Sequence, residues 1–149
     1  MDLQAFFPYR LAVLSEAVSL SLAEVYADRF KLSRDAWRVL AALAALPAGQ
    51  ALRTREVMAR TTLDKMQASR AVRALEEAGH LKREPDPDDG RGQLLRLTAA
   101  GRALYRRIVP VVQAREAYLL EGLADDERAA LERAIDGVLA RARQLLPPG

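Results

Sequence analysis

A set of basic and polar side chains at helical spacing is the part of this sequence best suited to chemistry. The set lies on a predicted helix that is capped by Thr62 or Asp64 and runs to Ala78. Arginine and lysine pair with guanine O6 and N7, and glutamine pairs with adenine N6 and N7. Serine donates to a base edge or to a phosphate. The side chains on or beside the outer face are Lys65, Gln67, Ser69, Arg70 and Arg73. We therefore predict that this helix enters a DNA major groove.

The remaining residues of this helix fit that orientation. Met66, Ala68, Val72 and Leu75 can face inward, and the acidic residues come late, at the end withdrawn from a groove. An ordinary surface helix with scattered charge is the plain alternative. Gly79 follows where a helix C-terminus favours a residue with positive φ. His80 comes next and can interact with the last helical carbonyls, while a role as a pH switch is less favoured.

A predicted β-hairpin follows, and its tip carries one arginine. Residues 81–84 and 93–97 are predicted strands, and the PDPDDGRG segment between them predicts a loose tip. Arg91 lies between Gly90 and Gly92, which would let its guanidinium approach a narrow minor groove. Asp89 could hold Arg91 in place. We predict that Asp89 and Arg91 are the DNA-contacting pair of this hairpin.

The same hairpin is acidic, which opposes binding to phosphates. Its aspartates are Asp86, Asp88 and Asp89. Unpaired carboxylates near a phosphate backbone would weaken binding. At least one of the three must therefore be neutralised, by Arg83, Arg91 or Arg96.

A second basic cluster precedes a short predicted helix over residues 55–60. Arg53, Thr54 and Arg55 form this cluster. The first helix of a helix-turn-helix crosses the DNA backbone, so we predict phosphate contacts for these three residues. Such contacts do not depend on sequence and weaken with salt. Solvated surface is the alternative.

Long helices are predicted on both sides of this middle region. An apolar stripe spans residues 8–30, and a further helix begins after Ser33 and carries Trp37. Another runs from Thr98 to residue 121 with an expected kink at Pro110, and the last begins at Asp125 or Asp126. The terminal helices are apolar-striped and have little core to cover. They are expected to pack on each other or on a second copy rather than fold over their own domain.

These elements predict a mostly α fold with a small β-hairpin (α+β). It is a winged helix-turn-helix with N- and C-terminal dimerisation helices. Residues 1–149 are taken as one domain. Within it, about 32–101 form the DNA-binding core, and about 8–30 and 102–146 form the dimerisation helices.

Composition and missing motifs argue against several other classes of protein. The chain has 149 residues and a net charge of +3, a weak basic bias. It has no cysteine and one histidine, so we predict no disulfide, metal site or cofactor. There is no apolar run long enough for a membrane span and no basic n-region for secretion, so a cytoplasmic protein is expected. Phosphate-loop and nucleophile-elbow motifs are absent, so we do not expect an enzyme.

Two segments together are similar to the MarR family of transcriptional regulators. They are DKMQASRAVRALEEAGHLKRE and DDGRGQLLRLTAAGRAL. The spacing of Asp89 and Arg91, followed by Leu97-Thr98 and Gly101, resembles the wing signature of that family. The resemblance extends over nearly the whole chain.

The resemblance implies an obligate homodimer that binds a short pseudo-palindromic operator in double-stranded DNA, usually to repress. It implies release by a small phenolic or lipophilic effector, bound between the dimerisation and DNA-binding regions by residues the sequence does not identify. Ser69 and Arg70 match base-reading positions, and Asp89 and Arg91 match the wing pair. Gly90 departs from the pattern, because a basic residue often stands there. The lack of cysteine excludes the peroxide-sensing branch.

A protein-interaction module is the alternative function. It would keep the winged fold without reading DNA, and the acidic wing and low net charge favour it.

Overall fold

The computed structural model describes residues 1–148, which form six α-helices and a three-stranded sheet. The elements in chain order are α1 (Phe7–Phe30), α2 (Arg34–Ala44), β1 (Leu52–Arg53), α3 (Thr54–Arg60), α4 (Lys65–Glu77), β2 (Leu81–Asp86), β3 (Asp89–Leu97), α5 (Ala99–Leu120) and α6 (Asp125–Gln144). A single 3₁₀ turn, Leu3–Ala5, precedes α1. Helix, strand, two helices and a hairpin follow one another in the order of the predicted winged helix-turn-helix.

The chain divides into two compact units, Met1–Val112 and the segment from Gln113 onward. The first unit contains the α2–α4 region, the sheet and the residues of the candidate site. The second contains the end of α5 and all of α6. The assignment of residues 1–149 to one domain stays a prediction.

The core of the first unit is built on the apolar faces of α2 and α4. Val39 and Leu40 of α2, Val72 of α4 and Leu95 of β3 are at most 1% exposed. Helix α2 begins where the sequence predicts, because the Ser33 side chain accepts a hydrogen bond from the backbone N–H of Ala36 at 3.0 Å. These two helices therefore form the packed base of the first unit.

The sheet has the strand order β1-β3-β2 with both pairings antiparallel. Strand β1 was not expected from the sequence: it has only two residues, too few for a period-two pattern. The hairpin strands are longer than predicted and leave only Pro87 and Asp88 in the turn. The expectation of a loose tip over PDPDDGRG is therefore wrong. Asp86 closes the turn by accepting a hydrogen bond from the Asp88 backbone N–H at 3.0 Å.

The second unit has no buried residue among its described positions. Helix α6 nevertheless keeps the apolar stripe that the sequence predicts, with large exposed side chains at Leu131, Ile135, Val138 and Leu139. Helix α5 continues through Pro110, where the expected kink stays a prediction. Among residues 1–148, no helix is long and apolar enough to span a membrane.

Candidate nucleic-acid interface

Helix α4 begins with a reciprocal capping box, which decides between the two predicted caps. The Asp64 side chain accepts from the Gln67 backbone N–H at 2.8 Å, and the Gln67 side chain accepts from the Asp64 backbone N–H at 3.0 Å. Asp64, and not Thr62, is the N-cap. Gln67 was predicted to read bases, but its side-chain oxygen is engaged here, and only its amide NH₂ remains to donate.

The inner face of α4 is apolar and buried. Ala68, Ala71, Val72 and Leu75 recur at three- and four-residue steps and are all at most 3% exposed. The expectation that Met66 also faces inward is wrong, because Met66 is 64% exposed. A residue two positions from Ala68 lies on the opposite side of a helix.

The outer face of α4 presents an uninterrupted row of side chains. Met66, Ser69, Arg70 and Arg73 follow the spacing i, i+3, i+4, i+7 and are exposed. Lys65 is also exposed and, like the half-buried Gln67, lies on the flank of this row. Within residues 1–148, no hydrogen bond or ion pair engages the charged groups of Lys65, Arg70 or Arg73. Sequence reasoning missed Met66 because it counted Met only as a core residue.

The acidic end of α4 is partly neutralised by the hairpin. Arg83 of β2 donates from Nε to both Glu76 carboxylate oxygens, at 3.1 and 3.2 Å. Arg83 was one of the candidates for neutralising a wing aspartate, but it is directed to the helix. Its Nη1 also donates to Gln93 at 3.4 Å.

The C-terminal end of α4 is fixed to the start of α5. Gly79 has φ of +79°, and the His80 backbone N–H donates to the Leu75 carbonyl at 2.9 Å. The backbone of His80, rather than its imidazole, therefore satisfies the last carbonyls, and His80 Nδ1 is buried without a hydrogen-bond partner among residues 1–148. Thr98 donates from its hydroxyl to the Gly79 carbonyl at 2.7 Å and from its backbone N–H to the His80 carbonyl at 3.1 Å.

The wing places Arg91 on its exposed surface. Asp89 accepts a hydrogen bond from the Arg91 backbone N–H at 3.1 Å, so it holds the main chain and not the guanidinium. No other described residue pairs with that guanidinium. Nearer the sheet, Glu84 lies 3.3 Å from both Lys82 and Arg96, and the pKa of Glu84 is lowered first by Lys82 and then by Arg96.

Arg53 lies directly before α3, as the sequence predicts, and its guanidinium is engaged within the chain. Its Nε donates to Asp86, a carboxylate whose side chain is only 1% exposed. The pKa of Asp86 is lowered chiefly by this hydrogen bond and next by the one from the Asp88 backbone N–H. The expectation that Arg83, Arg91 or Arg96 neutralises the wing aspartates is therefore wrong. The sequence gives no signal for this pair, because 33 positions separate its members.

Arg55, Thr54 and the wing border one shallow hollow. It is lined by Arg53, Thr54, Arg55, Asp89, Arg91, Gly92 and Gln93. Arg55 is exposed and makes no hydrogen bond or ion pair within residues 1–148. The structure thus brings the three predicted phosphate contacts and the predicted wing pair to the same surface.

Known proteins place this arrangement in a family. The MarR family model matches residues 30–92, which include α2, α3, α4 and most of the hairpin. The PcaV transcriptional regulator from Streptomyces coelicolor, solved with its natural ligand, is 30% identical; the alignment covers 95% of this chain and 97% of that one, with a TM-score of 0.76. The chain belongs to the MarR family. No curated protein matches this sequence.

Solved MarR-family structures agree over most of the chain. A MarR-family regulator from Silicibacter pomeroyi is 26% identical, covering 94% of this chain and 92% of that one, with a TM-score of 0.75. The fold also matches the S. aureus MepR–DNA complex, at 18% identity, 91% and 98% coverage and a TM-score of 0.81. The predicted winged helix-turn-helix with terminal helices is confirmed. As a MarR-family protein, the chain is a DNA-binding transcriptional regulator.

Proposed function

We propose that this chain is a ligand-responsive repressor that binds a pseudo-palindromic operator as a homodimer and has no catalytic activity. The observation that carries the proposal is the exposed row on α4, in which Arg70 and Arg73 have no partner within residues 1–148. A groove-reading helix needs uncommitted donors on a rigid base, and α4 has both. Its place of action is the cytoplasm, where DNA is accessible.

Base reading is assigned to the centre of the outer row. Arg70 and Arg73 supply guanidinium donors for guanine, and Ser69 supplies a hydroxyl. Met66 adds an apolar group of the kind that contacts a thymine methyl. Lys65 at the flank is better placed for phosphate. Gln67 contributes only its amide NH₂, because its side-chain oxygen caps the helix. The wing contributes Arg91, with Asp89 holding its backbone.

Phosphate contacts are assigned to the hollow between α3 and the wing. Arg55 and Arg91 both line it, and Thr54 adds a hydroxyl. Two cations facing one surface favour a backbone path across it. The acidic wing does not favour the alternative of a protein-interaction module, since Arg53 compensates Asp86 and lies 3.9 Å from Asp88.

Dimerisation is assigned to the exposed apolar faces of the terminal segments. Leu11 and Leu14 of α1 and Ile135 and Leu139 of α6 are each at least 43% exposed in the single chain. Covering such faces with a second copy would remove them from water and place two copies of α4 in symmetry.

An effector is proposed because MarR-family membership implies one, and PcaV was solved with its natural ligand. Trp37 is the only tryptophan in the chain and is stacked between Tyr26 and Tyr105, with ring centroids 5.9 and 5.8 Å apart. Its fluorescence therefore reports changes in the region between α1, α2 and α5. We expect a phenolic or lipophilic effector to change this signal and to weaken operator binding.

Selection from random duplexes tests the proposal most directly. We expect a pseudo-palindrome whose half-sites lie about one helical turn, roughly 10 bp, apart, and binding that weakens steeply with salt. Sedimentation should show a dimer at micromolar concentration. Recovery of no enriched sequence, or a clean monomer at that concentration, would contradict the proposal.

A further inference from the structure

Arg53 lies at the base of the wing, where its side chain is 27% exposed and borders the hollow, but its guanidinium faces carboxylates. We propose that Arg53 is a positioning residue that locks the wing through Asp86, so that Arg91 is presented to DNA, and that Arg53 is not itself a phosphate ligand. This inference rests on the proposed DNA-binding function. It assigns one of the predicted phosphate contacts a different role.

The strand pairing brings Arg53 to the wing. Arg53 belongs to β1 and pairs with Leu94 of β3 in antiparallel register. Asp86 ends β2 on the other side of β3, where the register is irregular between Pro85 and Asp86. The long arginine side chain therefore spans the sheet from its β1 edge to the turn. This single ion pair therefore joins the two outer strands of the sheet.

Each guanidinium nitrogen of Arg53 faces a different carboxylate. Nε donates to Asp86, Nη1 lies 3.9 Å from Glu56, and Nη2 lies 3.9 Å from Asp88. The Arg53 backbone N–H also donates to Glu56 at 2.6 Å. One positive charge is thus shared among three negative charges. A phosphate would have to compete with all three, whereas Arg55 next to it makes no hydrogen bond or ion pair within residues 1–148 and acts on Asp86 only through its charge.

The burial of Asp86 makes this ion pair important for the structure of the wing. It is the one charged residue that is buried among those described, with 4% exposure. A buried carboxylate is tolerated only when it is paired and hydrogen-bonded, and Asp86 has both Arg53 and the Asp88 backbone N–H. Removing Arg53 would leave this charge without its ion-pair partner, with only the smaller electrostatic effect of Arg55 remaining, and would loosen the turn.

The lock is connected directly to Arg91. Asp86 is the register partner of Asp89 across the hairpin. Asp89 in turn accepts the Arg91 backbone N–H at 3.1 Å. The path from Arg53 to Arg91 therefore consists of one ion pair, one strand pairing and one hydrogen bond. Displacing Asp86 would change the position from which Arg91 leaves the wing.

A pair of matched Asp→Asn changes separates positioning from charge. Asp86→Asn and Asp88→Asn remove the same charge from the same turn, but Asp86 is buried and the Asp88 side chain is 85% exposed. We expect Asp86→Asn to weaken operator binding about tenfold. Asp88→Asn should change affinity much less than Asp86→Asn, because the Asp88 carboxylate is exposed and lies 3.9 Å from Arg53, whereas Asp86 accepts a direct hydrogen bond. If Asp86→Asn tightened binding and steepened the salt dependence, Arg53 would be a released phosphate ligand and the inference would be wrong.

A double-mutant cycle with Arg91→Ala tests the path. In the Arg91→Ala background, Asp86→Asn should cause little further loss, because the side chain that it positions is absent. Full additivity of the two losses would overturn the inference. Arg53→Lys serves as a milder variant should Asp86→Asn fail to fold, because lysine keeps the charge but cannot span the carboxylates as a fork. If Arg53 positions the wing, the Arg53→Lys variant should lose the affinity that Arg91 contributes. If Arg53 binds phosphate, the variant should keep the wild-type affinity and salt slope.

Hydrogen exchange on the free protein gives a readout that does not involve DNA. The amides of Asp88 and Arg91 should exchange faster in Asp86→Asn and in Arg53→Lys than in the wild type, and unchanged rates would contradict the lock. If the wild type bound no duplex, the proposed function would fail, while the exchange rates would still decide whether Arg53 holds the wing.

Discussion

Arg70 on α4 and Arg91 on the wing are both exposed arginines without a partner within residues 1–148, but the structures beneath them differ. Under Arg70 lie Ala68, Val72 and Leu75, which are at most 1% exposed and pack into the core. Under Arg91 lies a turn held by the Arg53–Asp86 ion pair and by two hydrogen bonds of 3.0 and 3.1 Å. The helix is held by apolar packing, whereas the tip of the wing is held by charge and hydrogen bonds.

This difference predicts how the two elements respond to conditions. Apolar burial does not change with pH and is strengthened rather than screened by many salts. An ion pair at a partly exposed site weakens with salt and with protonation of its carboxylate. We therefore expect the helix to keep its geometry over a wide range of conditions and the wing to loosen first.

The largest effect is expected where the helix and the wing meet. A Cβ at Gly101 would overlap the carbonyl oxygen of His80, which belongs to the backbone and cannot move independently. Gly101→Ala should therefore separate the end of α4 from α5 and lower the free energy of unfolding by about 3 kcal/mol. Thermal or urea unfolding measures this.

Gly122→Ala is the matched control for that substitution. A Cβ there meets nothing within 4 Å, so its stability should stay close to that of the wild type. Equal stability of Gly101→Ala and Gly122→Ala would show that the close approach of α5 to His80 does not matter for folding.

The second effect concerns DNA binding and compares Arg70, a predicted base contact, with Arg55, a predicted phosphate contact. Arg70→Ala should cost about 2 kcal/mol on the selected operator and reduce base preference at one position in each half-site. Arg55→Ala should instead weaken all duplexes alike and lower the salt slope by about 0.9. Fluorescence anisotropy at several salt concentrations separates these outcomes. An Arg70→Ala variant with unchanged operator affinity would remove base reading from the centre of α4.

The sequence predicts the helix better than the wing, for a physical reason. Helix α4 is specified by local signals: Asp64 as cap, apolar residues at three- and four-residue steps, and Gly79 as stop. Each acts within a few residues, so a periodic pattern is enough to find them. Met66 was misplaced because its residue type, and not its position in the period, was used.

The wing depends on contacts that a linear pattern does not contain. Strand β1 has two residues and is defined only by its pairing with β3. Arg53 and Asp86 are 33 positions apart, and burial of Asp86 follows from the sheet rather than from its neighbours. Composition alone predicted a loose acidic tip, whereas tertiary pairing makes it a closed turn. The DNA-contacting roles of the named residues stay predictions in both regions.

A smaller effect tests the dual role of Gln67. Gln67→Ala removes the side-chain half of the capping box and should lower the free energy of unfolding by about 1 kcal/mol. Gln67→Glu should restore stability, because glutamate also accepts at this position and suits a helix N-terminus. Base preference measured on both variants shows whether the amide NH₂ also reads adenine. If Gln67→Glu were no more stable than Gln67→Ala, the capping role would be contradicted.

The smallest and most local effect is expected from acid. Asp86 has a folded-state pKa below its ordinary value, chiefly because of Arg53. Its stabilising contribution is therefore complete above the unfolded-state pKa of about 3.9 and is lost as the pH falls through the lower, folded-state value. Hydrogen exchange across this range should show the Asp88 and Arg91 amides losing protection before those of Val72 and Leu75, whose environment on α4 is apolar. In Asp86→Asn, which has no carboxylate to protonate, the wing amides should already be less protected and should change less with pH. If the amides of the wing and of α4 lost protection from exchange at the same pH, the wing would be held by the core and not by its own ion pair.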